Sequence, residues 1–205
     1  VGENGAGKST LMKVLSGVYP HGSYDGEILF DGEQVGSTAL GLNDFRKQTQ
    51  MVFQDSYASL NPRLTVEDTI AFGPRVHGLP RKAAISRAHD LLHRVGLEPS
   101  RFAGRYPHEI SGGQGQRVMI AMALAQDPDI LIADEPTTAL DVTVQRQLIE
   151  LLKELRREFN MTLLFISHDL GIVASLCHQI MVMKLGEKVE YGEREQVFFN
   201  PQHPY

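Results

Sequence analysis

The feature of this sequence that most restricts its fold is a glycine-rich segment at residues 2–9, GENGAGKS, which opens directly into a helical pattern over residues 8–16. The spacing G-x-x-x-x-G-K-[ST] lets the backbone wrap around a phosphate group, because glycine has no Cβ to obstruct the approach. Successive amide groups then point inward, and the positive end of the helix dipole faces the same anion. The segment therefore predicts a loop that binds a nucleoside triphosphate.

Within this loop, Lys8 is expected to reach the β- and γ-phosphates and Ser9 to ligate Mg²⁺. The alternative is a chance glycine turn before a helix, and the immediate start of a good helix argues against it. Kinases and GTPases share the motif, so it indicates a nucleotide triphosphate and no particular reaction. The expected nucleotide-binding residues of this segment are Gly2, Glu3, Asn4, Gly5, Ala6, Gly7, Lys8, Ser9 and Thr10.

A second acidic segment lies at residues 130–135, ILIADE. A buried strand ending in two acids places carboxylates at the carboxyl edge of a sheet, where open α/β sheets bind ligands. Asp134 suits Mg²⁺ held through water, and Glu135 suits a base that orients or deprotonates the attacking water. Alone, the segment would be read as a solvated acidic turn before Pro136. The phosphate loop in the same chain favours the catalytic interpretation.

Short apolar runs alternate with longer helical patterns, which is typical of an α/β fold. The fold class we predict is a P-loop NTPase core with a mainly parallel sheet flanked by helices, plus an inserted helical subdomain at approximately residues 55–127. The chain is mostly helical between 65 and 127. Strands are predicted at 27–30, 50–53, 129–133 and 162–166, and a final hairpin at 179–184 and 188–191.

Charge and cysteine content exclude several classes of function. The 205 residues contain 20 Lys and Arg against 25 Asp and Glu, a net charge of −5. The overall charge therefore gives no reason to expect a nucleic-acid partner. The single cysteine, Cys177, cannot form an internal disulfide. No uncharged apolar run approaches the roughly 18–20 residues that span a bilayer. Any membrane role is therefore expected to depend on a partner.

A third motif, Ser111-Gly112-Gly113-Gln114, precedes a helix and forms a second anion-binding device at a helix N-terminus. One nucleotide site needs one such cradle, so the second suggests action on the nucleotide of another chain. With these motifs in this order, the sequence resembles the ATP-binding cassette (ABC) family along essentially its whole length. The family signature begins with leucine, and Ile110 stands in that place.

The resemblance implies that two cassettes close head to tail around two ATP molecules with Mg²⁺. It implies that Gln54 senses Mg²⁺ and the γ-phosphate, completing a metal set with Ser9 and Asp134. The loop 139–141, with Asp141, would cross the dimer interface, and His168 would contact the γ-phosphate and the attacking water. Arg117, just after the signature, is expected to be a solvated helix residue.

From about residue 50 onward the sequence is similar to the dipeptide, oligopeptide and nickel importer branch, on segments such as YPHEISGG and DEPTTALDVTVQ. The first 32 residues resemble monosaccharide importers more closely, which leaves a sugar importer as the alternative. The stretch from about residue 50 onward is longer and favours a peptide importer. The implied partners are a second cassette, identical or different, a membrane permease and, indirectly, an extracytoplasmic binding protein. The implied location is the cytoplasmic face of the membrane.

Two other interpretations remain at this point. A cassette of DNA repair or translation would share the ATP motifs, but no coiled-coil insertion, tandem cassette or basic face is visible. The other interpretation is a nucleotide-binding fragment that does not hydrolyse ATP. We read residues 1–205 as a single nucleotide-binding domain cut at both ends, with the strand before Gly2 and the adenine-stacking aromatic residue lying upstream. We therefore expect this polypeptide to be unstable or weakly active.

Overall fold

The computed structural model describes residues 1–3, 5–19, 22–138 and 140–205, and the side chains in these ranges except those of residues 56 and 57. The chain divides into two compact units. The first comprises Val1–Phe45 and Leu164–Tyr205, and the second comprises Arg46–Leu163. Asn4, from the expected nucleotide set, and Ala139, from the expected interface loop, lie outside the described residues.

Helices and short strands alternate along the chain. In chain order they are α1 (Lys8–Leu15), β1 (Leu29–Phe30), β2 (Glu33–Gln34), α2 (Leu42–Gln48), β3 (Thr49–Val52), α3 (Ser56–Ser59), α4 (Val66–Val76), α5 (Arg81–Arg94), α6 (Pro99–Phe102), a 3₁₀ helix (Pro107–Glu109), α7 (Gly112–Leu124), β4 (Ile130–Asp134), α8 (Val142–Glu158), β5 (Thr162–Ile166), α9 (Leu170–Leu176), β6 (Gln179–Lys184), β7 (Glu187–Glu193) and α10 (Arg194–Phe199).

The second unit contains a parallel pair of strands. β3 and β4 pair from Thr49 opposite Ile130 to Val52 opposite Ala133, within a sheet of strand order β3–β4–β5. Residues 131–133 of β4 are almost fully buried, as expected of a parallel strand covered on both faces. The predicted α/β fold is confirmed.

The helices of the second unit bury the apolar faces that the sequence pattern indicates. The buried side of α5 consists of Ala84, Ala88, Leu91 and Leu92. The buried side of α8 consists of Leu148, Ile149, Leu151, Leu152 and Leu155. Both sets follow the spacing of about 3.6 residues that places side chains on one helix face. The sequence spacing predicts two buried faces, one of Ala84, Ile85, Ala88, Leu91, Leu92 and Val95 and one of Val144, Leu148, Leu151, Leu152, Leu155 and Phe159. In the structure Ile85, Val144 and Phe159 are only half-buried, and the buried Ile149 was not predicted.

The first unit contains the antiparallel hairpin of β6 and β7 that the sequence predicts. Val1 lies beside β6: its ammonium group donates to the Met181 carbonyl at 2.6 Å, and its carbonyl accepts from the Met183 amide at 2.8 Å. A separate small core in this unit includes Phe45, whose ring meets that of Phe30 edge to face with centroids 5.6 Å apart.

Strand bounds differ slightly from the prediction. The strand expected at 27–30 is reduced to β1 (Leu29–Phe30), and the Ile28 carbonyl accepts from the amide of Val35, the residue after β2, at 2.9 Å. β3 and β4 are each displaced by one residue from the expected bounds. Among the described residues, no helix has both the length and the apolar character needed to cross a bilayer.

Candidate functional site

The backbone of the phosphate loop adopts conformations that favour glycine. Gly2, Gly5 and Gly7 have φ angles of 150°, 83° and 88°, a region that costs other residues steric energy. Gly7 is the N-cap of α1 and brings no side chain to the first-turn amide groups. These amide groups suit an anion, which the helix dipole also favours at this end.

Two of these glycines also lie against the turn between β6 and β7. A Cβ on Gly2 would come within 2.2 Å of the Met183 carbonyl oxygen, and one on Gly7 within 3.2 Å of the Cα of Gly186. The Gly186 amide donates to the Ala6 carbonyl at 3.1 Å. The glycines are therefore required for packing as well as for phosphate binding. The sequence predicts only the role in phosphate binding.

Lys8 is buried within the loop that it follows. Its Nζ donates to the Gly2 carbonyl at 2.6 Å and to the Glu3 carbonyl at 2.9 Å. The ammonium group is therefore held on the loop backbone, where the amide groups of a phosphate cradle converge. This is the place from which a lysine can neutralise the outer phosphates of a triphosphate.

His168 lies in the same unit as the phosphate loop and follows β5. It is exposed, and it lines a cavity of about 980 Å³ together with Val1, Gly2 and Glu3. The neighbouring Asp169 is the N-cap of α9 and accepts from the Ile172 amide at 3.1 Å. A capped helix start therefore holds the backbone next to the imidazole, and the first unit brings His168 and Glu3 to one cavity.

Asp134 and Glu135 end β4 in the second unit, and both are buried, with 7% and 9% of their surface exposed. Glu135 has a φ of 46°, which is unusual for a residue with a side chain. Such strain persists only where the surrounding structure imposes it, and it concentrates at functional sites. The carboxylate is oriented by Thr138, whose Oγ1 donates to Glu135 Oε2 at 3.0 Å.

Gln54 follows β3 and is exposed. Because β3 and β4 run parallel with Val52 opposite Ala133, the residues after both strands emerge at the same edge of the sheet. The second unit therefore brings together three of the predicted site residues at one edge: Gln54, Asp134 and Glu135.

The signature Ser111–Gln114 begins α7 as a capping box. The Ser111 hydroxyl accepts from the Gln114 amide at 3.4 Å, and the Ser111 amide donates to Gln114 Oε1 at 2.9 Å. Gly113 lies close to α8: a Cβ there would be 2.7 Å from Val144 Cγ1. The signature is thus a helix start with a small residue required at its third position.

Asp141, expected at a dimer interface, is the N-cap of α8. Its Oδ1 accepts from the amides of Thr143 and Val144, both at 3.0 Å. The interface role stays a prediction, and the structure adds a local one that the sequence pattern D-x-T-V could have indicated.

The expectation for Arg117 is wrong. The residue is half-buried, and its Nη1 donates to the Val95 carbonyl at 2.6 Å, at the C-terminal end of α5. Burial lowers the pKa of the Arg117 guanidinium from its ordinary value. Sequence reasoning also missed Thr138, which donates to Glu135, and Gln116, which donates to Pro136. No local motif marks any of these three contacts.

The proposed metal ligands are all oxygen donors of the kind Mg²⁺ prefers: the Ser9 hydroxyl, the Gln54 amide oxygen and the Asp134 carboxylate. Within the described part of the chain, no three His, Cys, Asp or Glu side chains are arranged to hold a metal ion. A largely hydrated Mg²⁺ held through one carboxylate and the phosphates of its nucleotide needs no such cage. The residues therefore fit the ion.

The phosphate loop and the acidic end of β4 define a nucleotide-binding cassette of the P-loop class. A family model described as ABC transporter matches residues 1–138. The chain belongs to the ABC transporter family, and its fold is that of the family's ATPase cassettes.

Two curated relatives match the whole chain. The glutathione import ATP-binding protein GsiA of Escherichia coli O157:H7 is 50% identical over 207 residues, which cover 100% of this chain and 33% of that protein. The oligopeptide transport ATP-binding protein OppF of Bacillus subtilis (strain 168) is 48% identical over 209 residues, covering 100% of this chain and 68% of that protein. The chain thus spans about a third of GsiA. The predicted membership of the ABC family and its peptide and nickel importer branch is confirmed.

Two solved structures have the same fold. CbiO1 from Clostridium perfringens, described as part of the ABC transporter complex cbiONQ, has a TM-score of 0.85 at 33% identity, covering 98% of this chain and 78% of that chain. The ATP-binding cassette MJ0796, described as the dimeric structure of a post-hydrolysis state bound to ADP and Pi, has a TM-score of 0.79 at 31% identity. The match covers 94% of this chain and 83% of that chain.

Proposed function

We propose that this chain is the ATP-hydrolysing domain of an ABC importer, which acts in a pair of cassettes and drives uptake of di- or oligopeptides through a membrane permease. The observation that carries the proposal is Glu135, a buried and strained acid at the same sheet edge as Gln54 and Asp134. Burial and the hydrogen bond from Thr138 distinguish Glu135 from the acid of a solvated turn.

In this mechanism the phosphate loop binds the triphosphate of ATP through the first amide groups of α1. Lys8 turns from the carbonyls of Gly2 and Glu3 toward the β- and γ-phosphates, exchanging two neutral acceptors for charged ones. Ser9, Gln54 and Asp134 would hold a Mg²⁺ ion, which would supply neutralisation of the charge on the phosphates.

Hydrolysis needs a water in line with the γ-phosphate and an acceptor for its proton. Glu135 takes this role, with its carboxylate held by Thr138. We assign to His168 the contact with the γ-phosphate and the attacking water that the family resemblance implies. Gln54, in the loop after β3, senses whether Mg²⁺ and the γ-phosphate are bound.

The decisive experiment is steady-state ATP hydrolysis by the full-length parent protein, with Mg²⁺ and with Mg²⁺ removed by EDTA. We expect turnover that requires Mg²⁺ and that falls by at least about 100-fold in Glu135→Gln, since a general base typically contributes that much. Turnover that persists in Glu135→Gln would show that another group accepts the proton.

We further propose that Ser111–Gln114 contacts the ATP held by a second cassette. The helix-start geometry of the signature supports an anion contact, and the neighbour MJ0796 is a dimer. Ser111→Arg should therefore abolish dimer closure while the monomer still binds ATP. Loss of ATP binding by the monomer would contradict this assignment.

Docking of the permease is proposed on α4 and the residues after it. Phe72, Val76 and Leu79 are large apolar side chains with 59%, 65% and 37% exposure, spaced four and three residues apart so that Phe72 and Val76 share one helix face. Such a patch indicates a protein partner, and it would hold the cassette at the cytoplasmic face of the membrane. Phe72→Asp should lower transport strongly while ATP hydrolysis by the detached cassette continues.

The peptide substrate is proposed from the relatives GsiA and OppF, which match the entire chain, including the first 32 residues that resemble sugar importers. Substrate choice belongs to the permease and the binding protein. Uptake of labelled peptides and labelled sugars by cells expressing the complete system distinguishes the two, and sugar uptake alone would contradict the proposal.

A further inference from the structure

We propose that Gln116 is a positioning residue that ties the signature helix α7 to the loops carrying Gln54 and Glu135, so that these three parts of the ATPase site move together. The inference rests on the proposed ATPase function. Gln116 is not part of any of the motifs on which that function depends.

The evidence is one buried side-chain amide. Gln116 is 3% exposed, and its Nε2 donates to the Pro136 carbonyl at 2.7 Å. The same Nε2 lies 3.3 Å from the Gln54 carbonyl and 3.5 Å from the Phe53 carbonyl. These carbonyls belong to the loop after β3 and the loop after β4, whereas Gln116 itself belongs to α7.

The orientation of the amide follows from these neighbours. Three carbonyl oxygens are acceptors, so the NH₂ end must face them, and a flipped amide would place its oxygen against all three. The other end, Oε1, is buried with no hydrogen-bond partner in the part of the chain that the structure describes. The three carbonyl contacts therefore determine the position of this side chain.

The contact with Pro136 is next to the strained Glu135. Proline has no N–H, so its carbonyl is the one backbone group by which this turn residue can be held. A fixed Pro136 carbonyl restrains the peptide between Pro136 and Thr137, one residue beyond the left-handed φ of Glu135. The bond from Gln116 therefore links the direction of the Glu135 backbone to α7, and the weaker contacts link the Gln54 backbone to the same helix.

The test measures kcat and KM for ATP in the full-length protein with Gln116→Met, which keeps the side-chain length and removes the donors. We expect kcat to fall about 10-fold with KM changed less than about 2-fold, since the lost hydrogen bonds position groups that act in the chemical step. Gln116→Glu, which faces the carbonyls with acceptors only, should reduce kcat at least as much. Met119→Leu, a buried change on the same helix, is the matched control and should leave kcat unchanged.

A merely structural role is excluded by repeating the measurement in a Glu135→Gln background. If Gln116 acts by holding the turn of Glu135 through Pro136, the effect of Gln116→Met should shrink there to less than about 3-fold. The same fold-loss in both backgrounds, or a Gln116→Met enzyme with wild-type kcat, would overturn the inference. Absence of hydrolysis in the wild-type protein would instead refute the ATPase function itself, so the two failures are distinguishable.

Discussion

The hydrogen bond between Thr138 and Glu135 gives a sharp prediction about the acid that we place in catalysis. Thr138→Val replaces a hydroxyl by a methyl group of nearly the same size, so the turn keeps its shape. The backbone bond from the Thr138 amide to the Glu135 carbonyl, at 3.2 Å, remains. The substitution therefore removes one interaction, the donation from Oγ1 to Glu135 Oε2 at 3.0 Å.

The magnitude follows from the chemistry and burial of the two partners. A hydrogen bond to a charged group contributes about 1.5–3 kcal/mol, and Thr138 is exposed, so water can replace part of it. We take the low end, about 1.5 kcal/mol, which corresponds to roughly a tenfold change in rate if the carboxylate loses its orientation. We therefore expect kcat to fall about 10-fold and KM for ATP to stay within about 2-fold, because the role that we propose for Glu135 is on the attacking water and not on the bound phosphates.

The assay is steady-state ATP hydrolysis by the full-length protein with saturating Mg²⁺. Thr138→Ser keeps the hydroxyl and serves as the matched control, with kcat expected close to wild type. Equal losses in Thr138→Ser and Thr138→Val would refute the reasoning, since a variant that keeps the hydroxyl would then lose as much activity as one that lacks it. Wild-type activity in Thr138→Val would show that Glu135 needs no such support.

Three further predictions concern the second unit. Asp141→Ala removes the N-cap of α8 and should destabilise the protein by about 1 kcal/mol, a fall in Tm of roughly 2–4 °C in a thermal melt, whereas Asp141→Asn should retain most of the stability. Gly113→Ala places a Cβ 2.7 Å from Val144 Cγ1 and should reduce ATP hydrolysis, with partial recovery in the double variant with Val144→Ala; no recovery would mean that this clash is not the cause. Arg117→Met leaves the Val95 carbonyl without its donor and should lower the free energy of unfolding by about 1–3 kcal/mol in urea titration, and an unchanged midpoint would contradict the structural role.

The residues that sequence reasoning identified are those whose function is contained in a short segment. The phosphate loop is recognisable because glycine spacing, a lysine and a helix start occur within nine residues, and α5 is recognisable from the period of its apolar side chains. Asp134 and Glu135 are recognisable because an apolar strand ends in acids. In each case the physical requirement acts between near neighbours.

Two of the residues that sequence reasoning missed, Gln116 and Arg117, act across long separations, whereas Thr138 contacts Glu135 three residues away. Gln116 contacts loops 62 and 20 residues away, and Arg117 contacts α5 at Val95, 22 residues away. A glutamine or arginine in a helix is usually solvated, so its type alone gives no signal. The role of Asp141 as the N-cap of α8, by contrast, could have been predicted from the pattern D-x-T-V. Strand bounds shifted because pairing with a neighbour, which no local pattern encodes, decides where each strand ends.

The central claim is that Glu135 activates the water for hydrolysis while the remaining site residues bind ATP. The most direct measurement is the identity of the nucleotide retained by the Glu135→Gln full-length protein after incubation with Mg²⁺ and ATP, read together with its oligomeric state by sedimentation. We expect retained ATP in a dimer, because binding and closure persist without the base. Retained ADP, or a monomer that turns ATP over at the wild-type rate, would contradict the account.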